Sequence, residues 1–269
     1  MSRRRRLYEG TSKIIFEGSE PGTLIQHFKD ETTLKNSEIM VLEGKGVLSN
    51  RISEYLFQSL SEVSIPHHFI KRLNMREQLL SEVEILPLKI SVYNRVSSDL
   101  AARLGLEEGS RLSRPLIELY YKNETLGDQI VSEEHVFVFG WATPPELDEM
   151  ITLATRTNDF LSGLFLGIGM RLVGFRFQVG RSVDEDGQRL VIADELSPET
   201  CDLWEMESFG TETIPPRPTT LDMGKIYSTV ARRLGLLSEN ESAQLITLPL
   251  EKVSHVPANA QLNATCEIS

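Results

Sequence analysis

Cysteine is scarce in this chain of 269 residues: there are two, Cys201 and Cys266. They lie far apart with no metal-ligand spacing, so a disulfide framework and a thiolate metal site are not expected. Incidental thiols in a cytoplasmic protein are. Long apolar runs are missing too. No stretch approaches the roughly 20 residues that a membrane helix needs, and no apolar segment follows the basic run Arg3–Arg6 as it would in an export signal. That run reads as a solvated arm. Aromatic residues make up only 7%, and positive charge is in deficit, with a formal net charge of −11. This argues against a nucleic-acid partner, which would need a basic surface. It leaves room for a small anionic ligand, because a few well-placed cations serve one phosphate group.

What is present is a hydrophobic content of 40%, enough for one large domain or two interlocked lobes. Leu7–Phe16 reads as a hairpin turning at Gly10-Thr11-Ser12, and Leu24–Phe28 as a third strand. Gly44-Lys45-Gly46 reads as a flexible break before a helix on which Val47, Ile52, Leu56, Leu60 and Val63 recur near the 3.6 period. Apolar segments follow at His67–Leu73, Gln78–Glu84 and Leu86–Val92, and Leu116–Tyr121 reads as another strand. Ser97-Ser98-Asp99 opens a helix that Gly105 stops. Thr143-Pro144-Pro145-Glu146 opens a long helix to about Leu166, with Thr as cap, Pro at the first position and Glu three residues on. Asp222–Leu234 is a weaker helix. The pattern predicts an α+β fold: a β-rich N-terminal lobe (1–85), a mixed C-terminal lobe (86–237) and a polar tail (238–269). One segment of the tail, Leu245–Leu250, is a candidate for docking. The ligand site is expected in the cleft between the lobes.

The richest stretch is Arg171–Trp204. Val173, Phe175, Phe177 and Val179 alternate with Leu172, Gly174, Arg176, Gln178 and Gly180. The first set is a core face. The second carries a cation and an amide among small residues, as a site would. A three-residue loop, Glu185-Asp186-Gly187, would place Gln178 directly opposite Asp194, and Ser197-Pro198 ends the second strand. Other candidates have plainer readings. His67 and His68 are adjacent on an expected strand, so their rings should point to opposite faces. His135 reads as surface or interlobe packing, Trp141 and Trp204 as core or interface aromatics, and Ser197 lacks the partners of a nucleophile.

These residues, with LYEG (7–10), FKDETT (28–33), EGKGVLSNRIS (43–53), VEILPL (83–88), LAARLGLEEG (100–109), LYYKNETLGD (119–128), GFRFQVGR (174–181), ADELSPETCDLW (193–204) and VARRLG (230–235), resemble the SAICAR synthetase family of purine biosynthesis. The likeness is collinear over residues 7–210. It implies an ATP-binding N-terminal lobe, with ATP and Mg²⁺ as cofactors. It also implies a ligase that joins the carboxylate of an aminoimidazole ribotide to aspartate through an acyl phosphate. Family members are commonly oligomeric, so a homo-oligomer is the matching expectation. By resemblance, Gly10, Thr11, Lys13 and Lys122 serve ATP, and Arg176 and Lys122 serve catalysis. Asp194 and Gln178 serve the metal, and Tyr93, Asn94, Asp99, Asp202 and Arg217 the substrate.

The sequence departs from the family pattern inside this set. Thr11 stands for a lysine, and Gly174, Arg176 and Gln178 stand where the family has Asp-x-Lys-x-Glu. An amide oxygen carries no charge and suits Mg²⁺ poorly, and Arg reaches differently from Lys. Tyr93 and Asp202 stand for arginines and Asp99 for a serine. TIPPRPTT (213–220) replaces a basic segment. Exchanging an arginine for an aspartate near a phosphate turns attraction into repulsion, about 4 kcal/mol per unit charge pair at ~4 Å and an effective dielectric of ~20. Three readings therefore stand side by side: a working SAICAR synthetase, a related ATP-dependent ligase using another amine or carboxylate acceptor, and a nucleotide-binding or interaction protein of the same fold.

Overall fold

The computed structural model describes residues 4–33, 39–123, 125–184, 187–206 and 223–237. The segment 207–222, with Arg217, and the tail from 238, with Leu245–Leu250, lie outside them. β1 (Arg6–Glu9) and β2 (Lys13–Glu17) form the first hairpin, closed where Gly10 N donates to Lys13 O at 2.9 Å. β2 pairs with β3 (Thr23–Phe28), while β4 (Glu31–Thr33) and β5 (Ile39–Val41) make a separate two-stranded ribbon. After α1 (Lys45–Glu62), β6 (Phe69–Arg72) and β7 (Glu77–Ser81) complete a five-stranded sheet in the order β1-β2-β3-β7-β6.

α1 starts earlier than its apolar period predicts. Gly44 is its N-cap in the left-handed region (φ 82°), and Lys45 and Gly46 are its first turn rather than a flexible break. Only glycine fits at 46, because a Cβ there would lie 2.5 Å from Phe28 O. The helix buries Leu48, Ile52, Leu56, Phe57 and Leu60, a stripe at 3–4-residue spacing.

The second sheet holds β8 (Glu84–Arg95), β9 (Arg111–Tyr121), β10 (Gln129–Val131), β11 (Met170–Asp184), β12 (Gly187–Ala193) and β13 (Cys201–Glu205). Its order is β10-β9-β8-β11-β12, with β13 also beside β11. Between strands run α2 (Ser98–Leu104), α3 (Glu133–Val138) and α4 (Pro144–Gly167). Ser97 Oγ accepts from Leu100 N to cap α2, and Gly105 ends it at φ 67°. Thr143 and Glu146 form the expected capping box of α4. α3 gave no periodic signal; a capping box of Ser132 and His135 opens it. Leu147, Met150, Leu153, Ala154, Leu161 and Phe165 of α4 are buried in the core cluster that also holds Phe175, Phe177 and Val179 of β11. Each larger side chain contributes roughly 1.5–3 kcal/mol by leaving water.

The backbone and the last helix help to join the sheets. Residues 66–68 lie along the end of β12: His68 N donates to Ile192 O at 3.0 Å and Ile192 N to Pro66 O at 2.9 Å. The final helix, α5 (Met223–Arg233), returns to pack on α1. It buries Tyr227, Val230 and Ala231, and beyond it Arg51 Nη1 donates to Leu236 O at 3.1 Å. One core cluster spans both sheets. No described helix is long and apolar enough to cross a membrane.

Two local readings are corrected. Asp184 pairs with Gly187, so two residues rather than three separate β11 from β12, and Gln178 faces Ala193 instead of Asp194. Gly187 adopts φ 118°, which lets the strand resume one residue earlier. The rings of His67 and His68 do not point apart: both lie against Phe57, with centroids at 5.0 and 5.8 Å. They precede β6, where the strand's alternation does not apply.

Candidate functional site

Register places the polar side chains of the large sheet in rows. Directly paired residues of antiparallel strands share a face. Tyr120, Lys89 and Gln178 form one row, Glu118, Ser91 and Arg176 the next, and Leu116, Tyr93, Gly174 and Asp202 a third. Lys122 extends the β9 file beyond Tyr120, and its Nζ donates to Gln178 Oε1 at 3.0 Å. β8, β9, β11 and β13 thus lay out one polar floor. Its Lys122 end abuts the small sheet.

There the two sheets meet through charge. Lys13 of β2 forms an ion pair with Asp194, which leaves the end of β12 at φ 68°. Such a backbone is strained for a non-glycine residue, and His68 holds it: His68 Nε2 lies 2.9 Å from Asp194 O. Burial pushes the His68 ring down to about 3, with the His67 and Lys13 charges adding to the shift. It is therefore neutral, and its protonated nitrogen donates to this carbonyl. The Lys13 ammonium is also held below the usual lysine range, first by burial and then by the opposing effects of Glu195, which favours its charge, and of Lys122 and Lys89, which disfavour it. Three lysines from two sheets therefore feel one another around Asp194. Lys13 is paired with Asp194 and Lys89 with Asp128, so an entering anion would compete with these carboxylates for the ammonium groups.

A second polar layer lies behind. Glu195 is 3% exposed, accepts from Gln26 Nε2 at 3.3 Å and from Ser197 Oγ at 3.1 Å, and is driven above the ordinary carboxylate range by burial. Glu199 pairs with the buried Lys45, whose Nζ also donates to Glu31 O at 2.9 Å. Tyr227 and Thr32 each donate to Glu199 at 3.3 Å. Arg176 Nη2 donates to Glu199 O at 3.1 Å, which fixes its direction over the middle row. Sequence reasoning missed Lys45, His68, Lys89, Glu195, Glu199 and Tyr227. Lys45 between two glycines and the Glu195/Glu199 pair around Pro198 were the available signals.

Of the candidates, Lys13, Lys122, Gln178 and Asp194 come together. The Gln178 oxygen is engaged by Lys122, while its Nε2 is buried with no partner. Gly10 shapes the hairpin, and its carbonyl accepts from Lys29 Nζ at 3.3 Å. Thr11 follows in the turn before β2. Tyr93 and Asp202 lie on either side of Gly174, the far row of the floor. A Cβ at 174 would lie 2.7 Å from Val92 O and 3.3 Å from the Tyr93 ring, so the tyrosine covers a glycine. Tyr93 OH is 3.3 Å from Tyr120 OH, which donates to Glu118, itself paired with Arg103. Arg103 Nε is 4.0 Å from Asp99, an exposed side chain on α2. Asn94 lies on the opposite face, exchanging two amide hydrogen bonds with Asn158 of α4 at 2.7 and 3.1 Å. It does not join the floor.

Among the described residues no group of three His, Cys, Asp or Glu side chains stands ready to hold a metal. The seam offers the Asp194 carboxylate, which fits a magnesium ion held chiefly by phosphate oxygens, the usual mode for that ion at nucleotide sites.

The family model described as SAICAR synthetase matches residues 6–219. A phosphoribosylaminoimidazole-succinocarboxamide synthase A of Bradyrhizobium diazoefficiens is 55% identical over 245 residues, covering 90% of this chain and 95% of its own. The corresponding synthase of Sinorhizobium fredii is likewise 55% identical, over 90% of this chain and 96% of its own. Among solved structures, the Ehrlichia chaffeensis phosphoribosylaminoimidazole-succinocarboxamide synthase superposes with a TM-score of 0.79 at 34% identity, covering 87% of this chain and all of that one. A SAICAR synthetase in complex with ADP gives 0.71 at 29% identity, covering 91% of this chain and 99% of that one.

Proposed function

The chain belongs to the SAICAR synthetase family, and on that premise we propose that it is an ATP-dependent carbon–nitrogen ligase of purine biosynthesis, joining a carboxyaminoimidazole ribotide to aspartate. The observation that carries this reading is the lysine cluster at the seam, Lys13 with Lys89 and Lys122 around Asp194. A triphosphate is the small ligand best suited to such a cluster, and a relative has been solved with ADP. An acceptor other than the ribotide has no support in the comparisons.

In this reading Lys13 would exchange Asp194 for a phosphate oxygen, and the freed Asp194 carboxylate would be the protein group that holds magnesium. Bound there, magnesium would offset phosphate charge. Lys122 neutralises the same phosphates. Gln178 gives its oxygen to Lys122 and keeps a buried N–H for a phosphoryl or carboxylate oxygen. Arg176, steadied by Glu199 O, offers a guanidinium to the acyl phosphate as charge builds on it. Tyr93 supplies a ring face to the imidazole, and Asp99 and Asp202 supply acceptors for hydroxyl groups. Asn94 positions Tyr93 from behind, through α4. Thr11, Gly10 and the turn they share lie against the nucleotide. The reading includes a cytoplasmic location, where ATP and aspartate are supplied.

The test has two steps. Nucleotide binding is measured by titration with and without Mg²⁺. ADP release is then followed with aspartate and the carboxylated ribotide present together and singly. Release that needs both substrates is expected. Absence of nucleotide binding would sink the reading, and binding without turnover would leave only the nucleotide site.

A further inference from the structure

Where β8 ends, beyond the register shift that follows Tyr93, there is a pocket of 350 Å³. Four of its lining residues are arginines, Arg95, Arg111, Arg114 and Arg171, and none is Asp or Glu. In a chain of net charge −11 this is a concentrated region of positive potential. The arginines come from different elements: Arg95 ends β8, Arg111 and Arg114 open β9 and Arg171 opens β11. Arg95 is 7% exposed and anchored, with Nη1 donating to Gly109 O at 2.8 Å. Arg111 and Arg114 are exposed at the rim. The other wall is apolar, formed by the exposed Leu166 at the end of α4, with the buried Met170 and Leu172 behind it.

We propose that this pocket is a second ligand site, separate from the seam, which binds a small phosphate ester carrying an apolar ring, of nucleoside monophosphate size. Guanidinium groups match phosphate oxygens in pairs, which lysines do not. The volume lies at the small end of ligand pockets, which suits a mononucleotide rather than a dinucleotide. The apolar wall gives the ring a place beside the charges. The lysines of the seam lie toward the other end of the sheet: Lys89 is in register with Gln178 and Tyr120, whereas Arg95 of the pocket is in register with Arg111.

The full-length protein is titrated with adenosine 5′-monophosphate and, separately, with inorganic pyrophosphate. Three forms are compared: the natural chain, the double variant Arg111→Glu with Arg114→Glu, and the seam variant Lys13→Ala with Lys122→Ala. The rim arginines are exposed, so the first variant is expected to keep its melting temperature and its ligase turnover. The pocket site is expected to survive in the seam variant. In the rim variant it should lose about tenfold or more in affinity, the scale of lost charge-assisted bonds. Adenosine monophosphate is expected to outcompete pyrophosphate there. Affinity unchanged by the rim substitutions, or binding that vanishes wholly in the seam variant, overturns the second site. Equal or tighter binding of pyrophosphate overturns the ring-bearing ligand.

Discussion

Burial at single residues sets the chemistry of the seam. His68 is the clearest case, because its ring is pushed down to about 3 while an unfolded histidine titrates near 6.5. Between those values the unfolded chain binds the extra proton, so stability rises with pH across the window and is lost on acidification. The slope from this one group is at most about 1.4 kcal/mol per pH unit. Glu195, raised by burial, acts in the opposite direction above the ordinary carboxylate range. The contribution of His68 is therefore read as a difference between the natural chain and His68→Gln. Denaturant titrations between pH 6.5 and 4.5 should show the variant losing less stability on acidification, and parallel profiles would contradict the assignment. At Gln178 the missing partner of Nε2 allows a sharper test of metal dependence. Gln178→Glu places a carboxylate beside Lys122 and near Asp194, so nucleotide affinity should become about tenfold more dependent on Mg²⁺ as ligand charge increases. Titration with and without the ion measures it, and an unchanged ratio would remove Gln178 from the metal's surroundings.

At the scale of elements, close approach decides where α1 begins. Gly46→Ala would drive a methyl group to within 2.5 Å of Phe28 O. A destabilisation of about 1–3 kcal/mol is expected from such overpacking, visible as a lower denaturant midpoint, and no change would mean that the helix start is soft. Elements whose signals are local were legible in the sequence: Thr143-Pro144-Pro145-Glu146 opened α4, Ser97 and Gly105 bounded α2, and apolar alternation marked β11. What depends on distant partners was not. The register of β11 on β12 turned on a single residue of loop length, which side-chain alternation does not encode. His67 and His68 were assigned a strand geometry, but their rings are placed by Phe57. The candidate site was half legible. Lys13, Lys122, Gln178 and Asp194 were found through family motifs, whereas Lys45, Glu195 and Glu199 become visible only when β3, β4 and α5 are folded around them. Asn94 is placed apart from its motif neighbour, since Tyr93 faces the floor and Asn94 faces α4.

Across the whole molecule the two sheets share one core, a bridge at residues 66–68 and the return of α5. Thermal unfolding of the full chain should therefore be a single cooperative event with equal calorimetric and van't Hoff enthalpies. Two resolved transitions would show the lobes to be independent. The return of α5 also has a consequence for synthesis. Arg51 and Leu236, joined by a hydrogen bond, are 185 positions apart along the chain. A ribosome adding 5–20 residues per second takes on the order of ten to forty seconds to cover that distance. For that interval α1 has emerged without α5 to cover it, and Glu199, once made, waits a further 28 positions for Tyr227. A nascent chain therefore has Lys13 long before the layer that backs the seam, and a product cut short of residue 223 is a natural target for chaperones and proteases.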